Sequence, residues 1–455
     1  MVDVVVIGGG PAGTSAAIRA AQLGGRVALV EFAHLGGSCV NQNCVPLTSL
    51  LATVELFHRI ARAGEMGVKV GPARLDLSEM RARKDRIVSE LREGMAGLLP
   101  TFGVEVIHGQ ARVVDMRTVE VAGTRIRAER GLILATGARW APLPKGVSEV
   151  TRPDEALELA EPPGRMMVWG GEPSDVEIAT LFAALGSRVL LVVEGPHPLP
   201  TEDYEVGQRL QAILTAQGIE VITGATVQSA KRDSEGLRVV LSGSKGAREV
   251  IVDRMVWGCR VPATGGLGLE EIGLEVKDGA IAVDDRQRTN LPTVFAAGDV
   301  TGHPMYSSVA TSSGLVAAEN AMGRSRKLDR RLVPRYAFSI PEVAAVGLTE
   351  DQAADAGYDV EVSNVPLATN ARAMGLGEVE GGIKLVADSK RGRLLGVHIV
   401  GHRATELIAE AALALQLEAL AEDLAWAVRI HPTLSESTVE AARALLGQAL
   451  YLPRL

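Results

Sequence analysis

Two distant stretches of this chain, "LGGRVALVE" (23–31) and "LGSRVLLVVE" (185–194), are nearly one phrase written twice. Each follows an apolar run ending in glycines and an alanine-rich segment of helical periodicity. In the first copy "DVVVIGGG" (3–10) reads as a buried parallel strand, rich in β-branched residues and without polar alternation. Gly8-x-Gly10-x-x-Gly13 follows, with Pro11 and Ala12 opening a helix, and the next strand closes on Glu31. A strand, a glycine turn, a helix and a second parallel strand form a right-handed βαβ unit. Two such units predict an α/β chain built on two Rossmann-like, doubly wound domains.

The residue types of the first copy carry a chemistry. One glycine makes the turn, one lets backbone approach a pyrophosphate, and one lets helix and strand pack closely. The helix N-terminus meets phosphate, and the terminal acid meets a ribose hydroxyl. An adenine dinucleotide is therefore expected on Gly8, Gly10, Pro11, Ala12, Gly13 and Glu31. The second copy keeps the strands, the helix and an acid, Glu194, but its turn reads Gly170-Gly171-Glu172-Pro173-Ser174-Asp175. Glu172 and Asp175 stand where the second and third glycines belong.

With 455 residues the chain is long enough for two to four domains. Lys plus Arg number 47 against 55 Asp plus Glu, and aromatic residues make up only 3%. That balance excludes a nucleic-acid partner, which needs a basic face and stacking surfaces. No run of 18 apolar residues is free of charge, so no membrane span is expected. "MVDVVVIGGG" enters a strand at once, unlike a secretory leader. Three cysteines are too few for a disulfide framework, and a cytoplasmic location is expected.

Spacing makes two of those cysteines informative. "LGGSCVNQNCVP" places Cys39 and Cys44 just past Glu31, which in a doubly wound sheet lies beside the bound cofactor. On an ideal helix they would be about 7.5 Å apart along the axis, beyond the roughly 7 Å Cα limit for bridging. A distorted turn is needed, and Pro46 suits one. Two structural thiols remain an alternative, whereas zinc lacks a second ligand pair. Beside a dinucleotide, a redox-active pair is the better reading. Cys259 stands alone. Further along, residues 80–99 read as a charged amphipathic helix. "GLILATGAR" (131–139) and "TVFAAGDV" (293–300) are strands ending in glycine turns, and an α+β region begins near Pro334.

In their order, "VIGGGPAG", "GGSCVNQNCVP", "LILATGAR", "TVFAAGDVTG", "IPEVAAVGLTE", "GVHIVGHRATELI" and "HPTLSES" resemble the flavin-dependent pyridine nucleotide–disulfide oxidoreductases along the whole chain, most closely the dihydrolipoyl dehydrogenases. The resemblance implies an FAD-binding domain (1–146), an NAD(P)-type Rossmann domain (147–270), a central domain completing the FAD site (271–333) and a C-terminal α+β dimerisation domain (334–455). It implies FAD on the first turn, on Gly37 and Ser38, on Ala135, Thr136 and Gly137, and on Gly298 and Asp299. Cys44 would be the thiol against the flavin and Cys39 the thiol that exchanges with substrate. His431 and Glu436 would form an acid–base pair supplied across a homodimer interface. Alone, "IHPTLSE" would be only a histidine beside a helix start. No metal site is implied.

Three departures fall on the nicotinamide half. Glu172 brings a side chain and a negative charge to the second turn, and Asp175 adds bulk at the helix–strand contact and a second charge. Like charges at ~4 Å cost about 1 kcal/mol in water and about 4 at an effective dielectric of 20. Ser174 and Glu177 have capping-box spacing, which would close that helix end on itself. The family's lysine four positions after the flavin-side cysteine is Thr48, and its "GRxPN" phrase has Cys259 for glycine and Ala263 for asparagine. The degenerate site thus comprises Gly170, Glu172, Asp175, Glu177, Glu194 and Cys259. The expected protein is an FAD-dependent dithiol–disulfide oxidoreductase, with a lipoyl-type dithiol or lipoyl carrier as partner and an impaired NAD(H) site. The alternatives are a conventional NAD-dependent dihydrolipoyl dehydrogenase and a non-catalytic FAD-binding scaffold or redox sensor.

Overall fold

A computed structural model describes residues 1–243, 246–302 and 304–453. The chain divides into two compact units, each assembled from separate segments.

The first unit joins residues 1–49, 78–142 and 259–330. Its sheet runs Val104–His108, Val27–Glu31, Val2–Ile7, Thr124–Leu134, Thr118–Val121, Ala111–Asp115. The first four strands are parallel, as is Val294–Ala296, which also pairs with Thr124–Leu134. The last two strands turn back as an antiparallel meander. Val2–Ile7 lacks polar alternation because both faces are covered. Val4 and Val6 pack with Ala16, Ala20 and Ala317, while Val5 and Ile7 pack with Val113, Val119 and Leu132. Each fully buried valine or isoleucine stabilises by roughly 1.5–3 kcal/mol. Helices Pro11–Gln22 and Ser307–Ala321 meet through small residues. A Cβ on Gly314 would lie 2.2 Å from the Ala12 carbonyl oxygen. The helix expected over 80–99 spans Leu77–Thr101.

The second unit joins residues 50–77, 143–258 and 331–455. It holds the second βαβ copy in a parallel sheet ordered Glu220–Thr223, Arg188–Val193, Arg165–Trp169, Arg254–Val256. Three antiparallel strands between Ala225 and Val252 form a separate sheet. After residue 334 comes a five-stranded antiparallel sheet ordered Arg335–Ala337, Glu342–Gly347, Arg393–Gly401, Gly382–Asp388, Val360–Pro366. Helices Ala404–Gln416 and Glu436–Leu445 bury their apolar faces against it.

One helical stretch, Gly37–Ala61, is long and apolar enough by composition to cross a membrane, a property not expected from a count of uncharged runs. It consists of two helices, Gly37–Asn41 and Cys44–Ala61, interrupted at Gln42 and Asn43, with Glu55, His58 and Arg59 in its last turns.

Candidate active site

The strand Val2–Ile7 ends at Gly8, whose φ of +106° few side chains tolerate. A Cβ there would meet the Ala135 carbonyl oxygen at 2.2 Å, and one on Gly13 would meet the Gly8 carbonyl oxygen at 1.7 Å. Gly10 is different: the nearest atom to a Cβ there is Gly37 Cα, at 3.7 Å. No side chain caps the helix Pro11–Gln22, so its N-terminal dipole opens onto a glycine-lined space. Glu31 is buried at the end of the next strand, with Oε2 accepting from the Gly9 amide at 2.6 Å and Oε1 from the Ala33 amide at 2.7 Å. Each oxygen retains a lone pair.

Three further segments converge on this turn. A Cβ on Gly37 would lie 2.8 Å from Gly10 Cα, and one on Gly298 would lie 2.9 Å from Ala12 Cβ. Ala135 donates its amide to Ile7 at 2.8 Å, and Thr136 Oγ1 donates to the Ala263 carbonyl at 2.8 Å. Ser313 Oγ accepts from the Gly298 amide, fixing the turn that carries Asp299. The open helix end, the fixed acid and the close backbone approach fit a dinucleotide such as FAD.

Cys39 lies in the short helix Gly37–Asn41, and Cys44 starts the next. The break between them supplies the distortion that C-x4-C spacing requires. Asn41 braces it, donating to the carbonyls of Leu35 and Gly37 at 2.9 and 2.8 Å and accepting from Arg92 Nη2 at 2.7 Å. Both cysteines are free thiols, partly buried, and each perturbs the other's ionisation. The hydrogen bond from Cys44 lowers the Cys39 pKa, helped by Ser307 and Arg260, against burial and Asp299. That same bond, together with burial and the Cys39 charge, pushes Cys44 well up. Thr48 donates to the Cys44 carbonyl at 2.6 Å.

The second glycine turn is built differently, and two expectations are corrected. The helix Pro173–Ala184 is capped at Glu172, not Ser174, and the acid that reaches back is Asp175, whose Oδ2 accepts from the Glu172 amide at 3.0 Å. Glu177 takes no part in that cap. Its buried carboxylate accepts from the Phe338 amide at 2.8 Å. The second correction concerns charge. Burial, with help from the Glu172 and Glu177 charges, raises the Asp175 pKa to about 8, so it is mainly neutral at pH 7. The carboxyl acts by volume. A Cβ on Gly170 would lie 2.1 Å from Asp175 Oδ2, and Asp175 Oδ1 is buried without a partner. Glu172 itself is exposed, so water screens its charge.

Glu194 is already engaged. Its Oε1 accepts from Trp169 Nε1 at 3.3 Å and from Thr226 Oγ1 at 2.5 Å. Trp169 stacks on Trp257 with centroids 5.2 Å apart, and the Arg152 guanidinium lies 5.1 Å from the Trp257 ring centroid. Cys259 is exposed, its carbonyl accepting from the Ala141 amide at 2.9 Å.

His431 and Glu436 do meet: Nδ1 and Oε1 are 2.9 Å apart, and Oε2 accepts from the Thr433 amide at 2.7 Å. Burial alone would raise the Glu436 pKa, but the Thr433 amide and His431 outweigh it and leave it lowered. The imidazole is exposed, close in sequence to an apolar surface of Leu413, Leu417, Trp426, Val428 and Ile430. Among the described residues no group of His, Cys, Asp and Glu could hold a metal.

Comparison with known proteins agrees with this geometry. A profile for pyridine nucleotide-disulphide oxidoreductases matches residues 2–314, and the profile for that family's dimerisation domain matches 333–442. The chain belongs to that family. It is 41% identical to a dihydrolipoyl dehydrogenase from Thermus scotoductus, with 99% of this chain and 98% of that protein covered. A dihydrolipoyl dehydrogenase from Geobacillus stearothermophilus is 34% identical, with coverage of 99% and 97%. Among solved structures, LpdA from Mycobacterium tuberculosis superposes with a TM-score of 0.88 at 28% identity, covering 97% of this chain and 99% of that one. The HOCl-induced flavoprotein disulfide reductase RclA from Escherichia coli gives 0.83 at 28%, with coverage of 97% and 99%. The chain is an FAD-dependent disulfide oxidoreductase similar to dihydrolipoyl dehydrogenases.

Sequence reading missed some residues around these sites. Ser307 and Arg92 reach the cysteine region from helices far along the chain, and nothing local marks them. Trp169 and Thr226 left a fainter signal: an indole ending a buried strand needs an acceptor for its N–H, and Glu194 ends the adjacent strand.

Proposed function

We propose that this protein oxidises a lipoyl-type dithiol, free or on a lipoyl carrier protein, through a Cys39–Cys44 disulfide, and that it uses NAD(H) poorly. One substrate thiolate attacks Cys39, breaking the Cys39–Cys44 bond and forming a mixed disulfide. The second substrate thiol then displaces Cys39, closing the cyclic disulfide of the product and leaving two reduced cysteines. Bound FAD supplies two-electron chemistry next to Cys44, on which the disulfide is restored. His431 of the partner subunit takes the proton from the attacking thiol, held in orientation by Glu436. The dimerisation domain and the exposed apolar residues close to His431 in sequence support a homodimer that brings this pair to the cysteines. A cytoplasmic location goes with this reading.

The contrast between the two glycine turns carries the NAD half. In the first, the helix end at Gly10 is uncapped, whereas in the second the residue at the matching position, Glu172, already donates its amide to the Asp175 carboxyl. A diphosphate approaching the Glu172 amide must displace the Asp175 carboxyl that accepts from it, and a ribose approaching Glu194 competes with Trp169 and Thr226. The electron pair then passes to an oxidant other than NAD, namely a quinone, another redox protein or oxygen. A conventional NAD-dependent dihydrolipoyl dehydrogenase is the second reading, favoured by relatives of that name along nearly the whole chain. Anaerobic mixing of the purified holoprotein, first with NADH and then with dihydrolipoamide, separates the two. The flavin band should bleach with the dithiol and hardly at all with NADH. Rapid bleaching by NADH selects the conventional enzyme.

A further inference from the structure

The second βαβ unit differs from the first at two positions that no glycine or acid marks. In its sheet, Arg165–Trp169, Arg188–Val193 and Glu220–Thr223 follow outward in chain order, and Arg254–Val256 pairs on the opposite side of Arg165–Trp169. The order reverses between those last two strands. In open α/β sheets the ligand crevice lies outside the carboxyl ends of the strands at such a reversal. Val168 pairs with Val256, so the next residues along, Trp169 and Trp257, stand side by side at that crevice. In the first unit the matching positions are Ile7, which precedes Gly8, and its strand partner Leu134. Two aliphatic residues thus close the same strand ends over a core. The tryptophans add bulk that the fold itself does not require.

The indoles stack with centroids 5.2 Å apart and planes 19° from parallel, and only 6% of Trp169 and 9% of Trp257 is exposed. Both ends of the stack are fixed. Trp169 Nε1 donates to Glu194 Oε1, which also accepts from Thr226 Oγ1, so both lone pairs of that oxygen are engaged. In the first unit Glu31 instead accepts from two backbone amides, one on each oxygen. At the other end the Arg152 guanidinium carbon lies 5.1 Å from the Trp257 centroid, and Nη1 donates to the Trp257 carbonyl at 3.3 Å. A row of acid, two indoles and guanidinium therefore crosses the ends of three neighbouring strands. Stacking and the cation over the ring both hold it in place.

We propose that the Trp169–Trp257 stack, anchored by Glu194 and Arg152, fills the ligand crevice of the second βαβ unit and sets specificity against nicotinamide dinucleotides. The indole N–H takes the acceptor that a ribose hydroxyl would need, and the rings take the space beside it. This obstacle is separate from the Asp175 carboxyl at the glycine turn. The inference rests on the reading of an impaired NAD(H) site.

The test is anaerobic stopped-flow reduction of the flavin in the holoprotein, by NADH and by dihydrolipoamide. Trp169→Ile with Trp257→Leu restores the residue types of the first unit. It should speed reduction by low concentrations of NADH about tenfold, the scale on which misplaced methylenes discriminate between ligands. In a Glu172→Gly/Asp175→Gly background the rise should be at least as large. Reduction by dihydrolipoamide should keep the parent rate, which general loosening of the fold would not allow. Trp169→Phe keeps a stacked ring but removes the N–H, and should give about threefold, the scale of one net hydrogen bond. It stands in should the double variant not fold. NADH rates unmoved in both backgrounds, or in Trp169→Phe where that variant stands in, would overturn the inference. Fast reduction of the parent by NADH would instead remove the reading on which it rests.

Discussion

Asp175→Asn separates a carboxyl that acts by volume from one that acts by charge. In the folded chain this carboxyl is buried and titrates at about 8 rather than 3.8. At ~1.36 kcal/mol per pKa unit, burial costs its ionised form about 6 kcal/mol. The sign follows from proton counting. Below pH 3.8 both folded and unfolded chains carry the proton, and stability is indifferent to it. Between 3.8 and 8 the folded chain keeps a proton that the unfolded chain has released, so stability falls as pH rises. Above 8 both have released it and the slope vanishes. An asparagine keeps the shape and the oxygen that accepts from the Glu172 amide, but never ionises. Asp175→Asn should therefore be more stable by up to about 4 kcal/mol at pH 7, with the gap narrowing toward pH 5 and levelling off above pH 8. At roughly 2–4 °C per kcal/mol, 4 kcal/mol corresponds to about 8–16 °C in melting temperature. The assay is thermal unfolding of both proteins, FAD-saturated, at intervals from pH 5 to 9. A melting difference that does not change with pH would mean that Asp175 is ionised when folded, and the volume argument would fail.

The other expectations are shorter. Replacing Glu172 and Asp175 together by glycine opens the turn as in the first copy, and NADH should then reduce the flavin at least tenfold faster, measured by stopped flow. His431→Gln and Glu436→Gln should each lower turnover with dihydrolipoamide, the former by roughly 10²-fold or more, with FAD content unchanged. Val428→Asp with Leu417→Glu places charge on the exposed apolar surface. It should yield monomers on size-exclusion chromatography, and dithiol oxidation should disappear with the dimer if His431 acts across it. Gly13→Ala places a methyl 1.7 Å from the Gly8 carbonyl oxygen, and the purified protein should lose its flavin absorbance.

The sequence by itself determined the two βαβ units, the FAD-side glycines and acid, and the cysteine pair. These are local: turn geometry, a buried strand and a helix start are set by residues a few positions apart, so their spacing is legible in one dimension. Capping-box spacing at Ser174 and Glu177 was equally legible and belongs to no cap here. Which acid closes a helix depends on where the chain enters it, and tertiary contacts with Phe338 claimed Glu177. The bulk of Asp175 was legible, but its charge was misread because sequence carries no dielectric, and only burial made the carboxyl mainly neutral at pH 7. Arg260 reaches Ser38, the residue before Cys39, across more than two hundred residues of chain. That juxtaposition belongs to the folded sheet and its helices, because only packing brings groups so far apart in sequence within hydrogen-bonding distance.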